Sequence, residues 1–173
     1  MPGAVFLGGE NIELRTIEEE DIEFLRDHVN DPEIRSSLTI WRPMNIEQER
    51  EFFEEVVSAE EPVNLMVTRD GEPLGTVELR EKEQDRIGEL GIWLKKEAQD
   101  NGYGTEAAER LAEYAFNELN FHKVTARAFG KNKASRKVWE KLGFEEEGKM
   151  REEVYRNGEY EDVFYYGLLK EEF

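Results

Sequence analysis

The sequence predicts an α/β (α+β) domain built on one mixed, mostly antiparallel sheet with helices on both faces. Three observations lead there. Segments with apolar residues at alternate positions interleave with segments whose apolar residues recur every three or four positions, the periods of strands and helices. The dipeptides Asp70-Gly71 and Asn157-Gly158 are hairpin signals and require antiparallel neighbours. A helical stripe between the runs 87–94 and 123–129 adds a strand–helix–strand unit.

The elements follow in order. Residues 12–16 alternate as a short strand, with Ile12 and Leu14 against Glu13 and Arg15. Thr16 and Glu19 have the spacing of a capping box, so a helix should follow, with its stripe at Ile22, Leu25 and Val29 and its end before Pro32. His28 on this helix suits a structural role. Residues 36–45 form an irregular loop with Trp41 and Pro43. Asn45 caps a second helix with Phe52, Phe53, Val56 and Val57 on its apolar face, ended by Pro62. A hairpin of 63–68 and 74–80 comes next, then a polar turn, 81–86, and a strand, 87–94, on which Leu90, Ile92 and Leu94 share a face. A helix over 103–118 carries Ala108, Leu111, Ala112, Ala115 and Leu119 at the spacing of one buried stripe. The strand 123–129 precedes a helix over 134–142, closed by Gly143. Two long strands flank Asn157-Gly158, which sets Tyr155 opposite Tyr160.

Composition narrows the chemistry. The chain has 173 residues, with 23 Lys plus Arg against 41 Asp plus Glu, a net charge of −18. That length suits one domain over 1–173, without repeats or a low-complexity linker. The absence of Cys rules out disulfides, thiol catalysis and cysteine-ligated metals, and two distant histidines, 28 and 122, do not make a metal cluster. The net charge disfavours nucleic acid as a ligand. The start, Met1-Pro2-Gly3-Ala4-Val5-Phe6, lacks a targeting pattern and no run is long enough for a membrane span, so a cytoplasmic protein is expected. The excess acid suits a cationic substrate or a salt-rich cytoplasm.

The sharpest local feature is Gln99-Asp100-Asn101-Gly102-Tyr103-Gly104-Thr105, between a strand and a helix. A helix start carries unpaired N–H groups and partial positive charge, and two glycines admit a phosphate without a Cβ in the way. No Lys-Ser/Thr pair follows Gly104, so this is not a nucleotide P-loop, and the third glycine of a dinucleotide fingerprint is missing. Some thirty residues on, Lys131, Lys133, Arg136, Lys137 and Lys141 cluster against Glu140 alone. In an acidic chain this suits local attraction for a polyphosphate as well as a charge-paired helix face.

On these residues the chain resembles the GNAT superfamily of acyl-CoA-dependent N-acetyltransferases. The pyrophosphate loop of that family is matched by Gln99, Gly102 and Gly104. Its later pattern is matched by Asn132, Ser135, Trp139, Gly143 and Phe144. The opening Leu14-Arg15 and the ending Asn157-Gly158-Glu159-Tyr160-Glu161-Asp162 resemble the branch that acetylates ribosomal-protein N-termini, a branch that also holds enzymes for small amines.

The resemblance implies a GNAT-like fold and acetyl transfer from acetyl-CoA, without a metal, to a primary amine of a protein or peptide N-terminus, or alternatively of a polyamine or other small amine. Backbone amides of Asn101, Gly102, Tyr103, Gly104 and Thr105 would hold the diphosphate, with Gln99 and Arg136 nearby. Pantetheine would lie where the strand ending at Trp93 and Leu94 splays from the strand beginning near Lys123, and an N–H at Trp93 or Leu94 would stabilise the oxyanion. Asn132 would bond the pantetheine arm or cap its helix. Trp139 stands where the family commonly has a Tyr acid, which keeps a catalytically silent CoA-binding module in view. Ser135 matches the proton donor of the ribosomal-protein branch. A nucleotide-phosphate binder is a third reading of the loop.

An amine must lose a proton before it attacks, so a carboxylate base is expected. Glu78 and Glu89 qualify. A turn centred between Glu83 and Gln84 would set them directly opposite, where like charge lifts one pKa; the same two residues also suit a solvent-facing role. His122, at a strand start, suits a structural role. The Trp41 loop and the Tyr155–Tyr160 hairpin are candidates to frame the acceptor pocket.

Overall fold

The computed structural model describes residues 2–82 and 86–173, so the turn centre expected at Glu83 and Gln84 lies outside the described residues. Eight strands are present: β1 (Val5–Gly8), β2 (Glu13–Thr16), β3 (Val63–Arg69), β4 (Glu72–Lys82), β5 (Ile87–Leu94), β6 (Lys123–Phe129), β7 (Glu145–Arg156) and β8 (Glu159–Leu169). The helices are α1 (Ile22–Val29), α2 (Pro32–Arg35), α3 (Ile46–Phe52), α4 (Tyr103–Asn117) and α5 (Lys133–Lys141), and a wider-wound turn, Phe53–Val57, continues α3. The strands form one sheet in the order β1-β2-β3-β4-β5-β6-β8-β7. β5 and β6 run parallel, joined by α4 as crossover, and the other described neighbours are antiparallel.

The two faces are covered by different helices. α4 buries Ala107, Ala108, Leu111, Ala112, Ala115 and Phe116, and its alanines let it lie close to Val77, Leu79, Leu90 and Val124 of the sheet. α5 adds Trp139 to this core. On the opposite face, Met66 of β3 and Trp93 of β5 pack against Phe24 and Leu25 of α1 and Phe53 and Val57 beyond α3. No helix among the described residues is long and apolar enough to cross a membrane.

Local chemistry explains the boundaries. Asn45 and Gln48 form a reciprocal capping box at the start of α3. Asn157 and Gly158 both have positive φ, as a type I′ turn needs, and Tyr155 pairs with Tyr160, their rings edge to face at 5.1 Å. At the end of α5 the Phe144 N–H donates to the Trp139 carbonyl (3.0 Å) and the Gly143 N–H to that of Glu140 (3.2 Å), closing a Schellman motif.

Four expectations are corrected. β1 was not foreseen; it is an edge strand paired on one side, and its run Val5-Phe6-Leu7 shows no alternation because Val5 and Phe6 both stay exposed. The first capping box lies two residues later than Thr16 and Glu19, because β2 holds Thr16 in register with Leu65; the Glu18 N–H donates to Asp21 Oδ2 at 3.0 Å. A short helix, α2, starts where Asp31 accepts from the Glu33 N–H and Pro32 fills the first position. Finally, Glu78 pairs with Gly91 and Arg80 with Glu89, so the two carboxylates are not opposite. The offset of two residues preserves their parity. Both project from the same face, as diagonal neighbours.

Candidate active site

The parallel ladder between β5 and β6 runs from Ile87–Lys123 to Leu90–Ala126 and stops. Beyond it, Gly91 to Leu94 stay paired with β4, while Arg127 to Phe129 stay paired with β8. The sheet therefore opens at its centre. Backbone alternation determines which amides face the opening. The Arg86 carbonyl accepts from His122 N–H on the β6 side (3.1 Å), whereas the Lys95 N–H donates to the Leu74 carbonyl on the β4 side (2.7 Å). Even-numbered residues of β5 thus direct their N–H groups toward β6, and those of Ile92 and Leu94 lie past the last ladder pair. The Trp93 N–H turns toward β4, so of the two residues expected as oxyanion donor only Leu94 directs its N–H into the opening.

One mouth of this opening is a cleft of about 460 Å³ that reaches Trp93, Leu94, Gln99, Gly102, Gly104 and Thr105. Gln99 Nε2 donates to the Leu94 carbonyl (2.9 Å), tying the loop to the end of β5, and Asn101 Nδ2 donates to the Gln99 carbonyl (2.8 Å). Gly102 precedes the helix with φ 83, a left-handed conformation that favours glycine, and no side chain among the described residues caps the first turn of α4. The amides of Tyr103, Gly104 and Thr105 are therefore the free positive end of a helix dipole. The Tyr103 ring packs on the core below the Arg69 guanidinium.

α5 supplies the opposite wall. Lys131, Lys137 and Lys141 line the cleft, and Lys137 and Lys141 have no ion-pair partner among the described residues. Arg136, expected with them, turns away: its Nε donates to the Tyr166 hydroxyl (3.0 Å) and its guanidinium lies 3.9 Å from the Phe164 ring centre. Helical geometry explains this, because Arg136 is about 100° round the helix from Lys137. Asn132 caps α5, its Oδ1 accepting from the Ser135 N–H at 3.0 Å. Trp139 is buried, and its Nε1–H donates to Ser135 Oγ at 3.2 Å. That bond occupies a lone pair of the hydroxyl and leaves its proton free to be donated.

The second mouth opens on the α1–α3 face as a cavity of about 540 Å³. Ile92, Trp93, Phe129, Asn132 and Ser135 line both cavities, so the two meet at the gap between β5 and β6. Leu38, Thr39, Ile40 and Met44 show that the 36–45 loop frames the second cavity, although Trp41 itself is exposed. Arg156 steadies this loop by donating to the Ser36 and Leu38 carbonyls while its guanidinium stacks 3.8 Å from the Phe129 ring centre. Tyr155 and Tyr160 line neither cavity; both are exposed on the hairpin.

Glu78 and Glu89 both line the second cavity, in different states. Glu89 spends both oxygens on cations: Oε1 accepts from Arg127 Nε and Oε2 meets Lys82 Nζ, each at 3.0 Å. Among the described residues Glu78 has one loose partner, Arg80, at 3.6 Å. Burial pushes the Glu78 carboxyl above its usual range; Arg80 pulls it back, Glu89 adds to the rise and Arg127 opposes it. Gly91 gives this carboxyl its room, since a Cβ there would lie 3.0 Å from Glu78 Oε1.

Neither histidine lines either cavity. His28 Nδ1 bonds the Phe24 carbonyl at 2.7 Å and its ring stacks beside Trp93, while His122 joins β6 through its backbone. One residue that sequence reasoning missed is Glu49 of α3, 2% exposed and facing the second cavity. Its signal was its spacing: it stands one turn before Phe53, on the apolar face of its own helix.

Comparison with known proteins agrees with this geometry. The family profile "Acetyltransferase (GNAT) domain" matches residues 11–145. The chain is 42% identical over 104 residues to the putative ribosomal N-acetyltransferase YdaF of Bacillus subtilis, a match spanning 60% of this chain and 57% of that protein. Two solved structures superpose over most of both chains. A GNAT acetyltransferase from Bacillus anthracis has a TM-score of 0.85 at 25% identity, covering 96% of this chain and 99% of that one. The spermidine N-acetyltransferase of Vibrio cholerae, in complex with CoA and spermine, has a TM-score of 0.87 at 26% identity, covering 94% and 97%. The chain belongs to the GNAT family of acetyltransferases.

Proposed function

We propose that this protein transfers an acetyl group from acetyl-CoA to a primary amine, the amine being the N-terminus of a protein or peptide. The observation that carries the reading is the central opening of the sheet, where a cleft ending at an uncapped helix start meets a second, carboxylate-lined cavity. The first fits the donor and the second the acceptor. The amides of Tyr103, Gly104 and Thr105, with Lys137 and Lys141, hold the diphosphate. The Leu94 N–H faces the thioester oxygen as negative charge develops on it.

Each proton has a place to go. Glu78, directly or through one water, takes the proton of the attacking ammonium, because its raised pKa makes it a stronger base than an exposed carboxylate and no strong ion pair occupies it. The amine nitrogen bonds to the carbonyl carbon, the carbon–sulfur bond breaks, and the departing thiolate takes the Ser135 proton while the Ser135 oxygen takes the second proton of the nitrogen, so that the hydroxyl is restored. Trp139 orients that hydroxyl. The chain has no cysteine for a covalent relay, so the amine attacks within a ternary complex.

Polyamines are the second reading of the acceptor, favoured by the acidic residues of the second cavity and by the similarity to the Vibrio cholerae enzyme. Thiol release from acetyl-CoA against a panel of N-terminal peptides, polyamines and amino acids tests both readings. Release with peptides supports the first and release with polyamines alone the second. CoA binding without release for any amine would identify a silent module and refute acetyl transfer.

A further inference from the structure

Glu49 is an acid that this chemistry does not use. It lies on the inward face of α3, lines the acceptor cavity and is 2% exposed, and its carboxyl makes no hydrogen bond or ion pair among the described residues. The other acids of the cavity wall are accounted for: Glu89 pairs with Lys82 and Arg127, Glu153 accepts from the Tyr165 hydroxyl at 2.9 Å, and Glu78 has the base role proposed above. A buried carboxyl without a partner is destabilising. One that faces a cavity is matched when a cationic ligand enters.

We infer that Glu49 is a specificity site, which receives a second positively charged group, an ammonium or guanidinium, carried by the same acceptor whose primary amine is acetylated at the gap. This rests on the amine-acceptor reading above and narrows it: the acceptor is at least dicationic, either an alkyl diamine or a peptide with a basic side chain close to its N-terminus. A monoamine fills the reacting position and leaves Glu49 unpaired, so the pocket discriminates by charge at a distance from the chemistry.

The site also predicts a proton signal. Burial alone holds the Glu49 carboxyl at about 7. The other titratable groups on the cavity wall are Glu78, Arg80, Glu89, Arg127, Glu153 and Tyr165, and none of them contributes to that rise. α1, packed against α3, contributes Leu25 and Val29 to the wall; its His28 is bonded to Phe24, and its Arg26 and Asp27 pair with each other. At pH 7 Glu49 is thus about half protonated, and a cation that pairs with it expels roughly half a proton.

The test compares each α,ω-diamine with the alkylamine in which a methyl replaces the second ammonium, and each peptide carrying lysine at position two with its norleucine counterpart. In the wild type the preferred dication exceeds its monocationic match in kcat/KM by at least about tenfold, the range of a hydrogen bond to a charged group, and in Glu49→Gln that ratio falls to about one. Diamine preference identifies a polyamine source, and lysine-peptide preference a polypeptide source. A ratio equal in wild type and variant overturns the inference. So does a Glu49→Gln variant that slows mono- and dications alike and loses the acidic limb of the pH–rate profile, since Glu49 would then be the base. Calorimetric titration of the dication into the wild-type protein–CoA complex at pH 7, in two buffers of different ionisation enthalpy, needs neither a variant nor turnover. Proton release greater than that of the matched alkylamine supports the site, and equal release by dication and monocation overturns it. If no amine releases thiol, acetyl transfer fails while this titration still decides the role of Glu49.

Discussion

Replacing Glu49 by Gln should stabilise the protein, and the effect should depend on pH in one direction. Burial holds the folded-state carboxyl at about 7, against an ordinary 4.5. The pKa is raised on folding, so the sign is fixed. Below pH 4.5 the group is neutral in both states and imposes no penalty. As pH rises from 4.5 to 7 the unfolded chain ionises while the folded chain keeps its proton, and stability falls; above about 7 the loss is complete. At 1.36 kcal/mol per pH unit the penalty approaches about 3 kcal/mol. Gln has the same shape and no charge to bury. The variant should therefore match the wild type at pH 4.5 and exceed it by about 3 kcal/mol at pH 8, which for a domain of this size is about 6–12 °C in Tm. Thermal unfolding of both proteins at the two pH values measures this. A Tm difference that is the same at pH 4.5 and pH 8 would refute the burial argument, as would a variant less stable at pH 8.

Other parts of the site make separate predictions. In Gly104→Ala the new Cβ meets Leu94, Ile92 and Val138 at 3.5–3.9 Å, ordinary contact, so the protein should fold with stability unchanged or raised by up to about 1 kcal/mol. The methyl narrows the approach to the helix amides, so CoA affinity by titration calorimetry should fall about tenfold, or about 1.4 kcal/mol; unchanged affinity would remove Gly104 from the donor cleft. Glu78→Gln should lower kcat by about 100-fold and abolish the acidic limb of its pH profile, whereas a wild-type profile would exonerate Glu78. Trp139→Phe removes the donor to Ser135 and should lower kcat about tenfold without weakening CoA binding; wild-type kcat would show that Ser135 does not depend on this bond. With −18 net charges, Tm should rise between 10 mM and 0.5 M salt as repulsion is screened, and a flat response would contradict a self-repelling surface.

Features that act through the backbone were legible in the sequence. The alternating runs, the type I′ dipeptides and the Gly102/Gly104 turn each impose a local conformation that few residue types accept, so the sheet, both hairpins and the uncapped helix start could be placed. What eluded the sequence depends on long-range pairing. The β4–β5 offset is set by ladder contacts along the whole hairpin, and composition near the turn does not encode it. The direction of the Leu94 N–H follows from strand parity, which needs that same register. Arg136 belongs to a basic cluster that is continuous in sequence, yet helical rotation sends it to Tyr166 while Lys137 and Lys141 face the cleft. Glu49 reads as one more surface acid in an acidic chain until its place beside Phe53 is taken into account. β1 shows no strand period because, as an edge, it buries little on either face.

Hydrogen–deuterium exchange of the backbone amides, with and without CoA, tests the donor cleft most directly. Slower exchange on CoA addition at Tyr103, Gly104 and Thr105, together with Ile92 and Leu94, is the predicted result. Protection confined to other segments, or exchange at these five amides indifferent to saturating CoA, would contradict it.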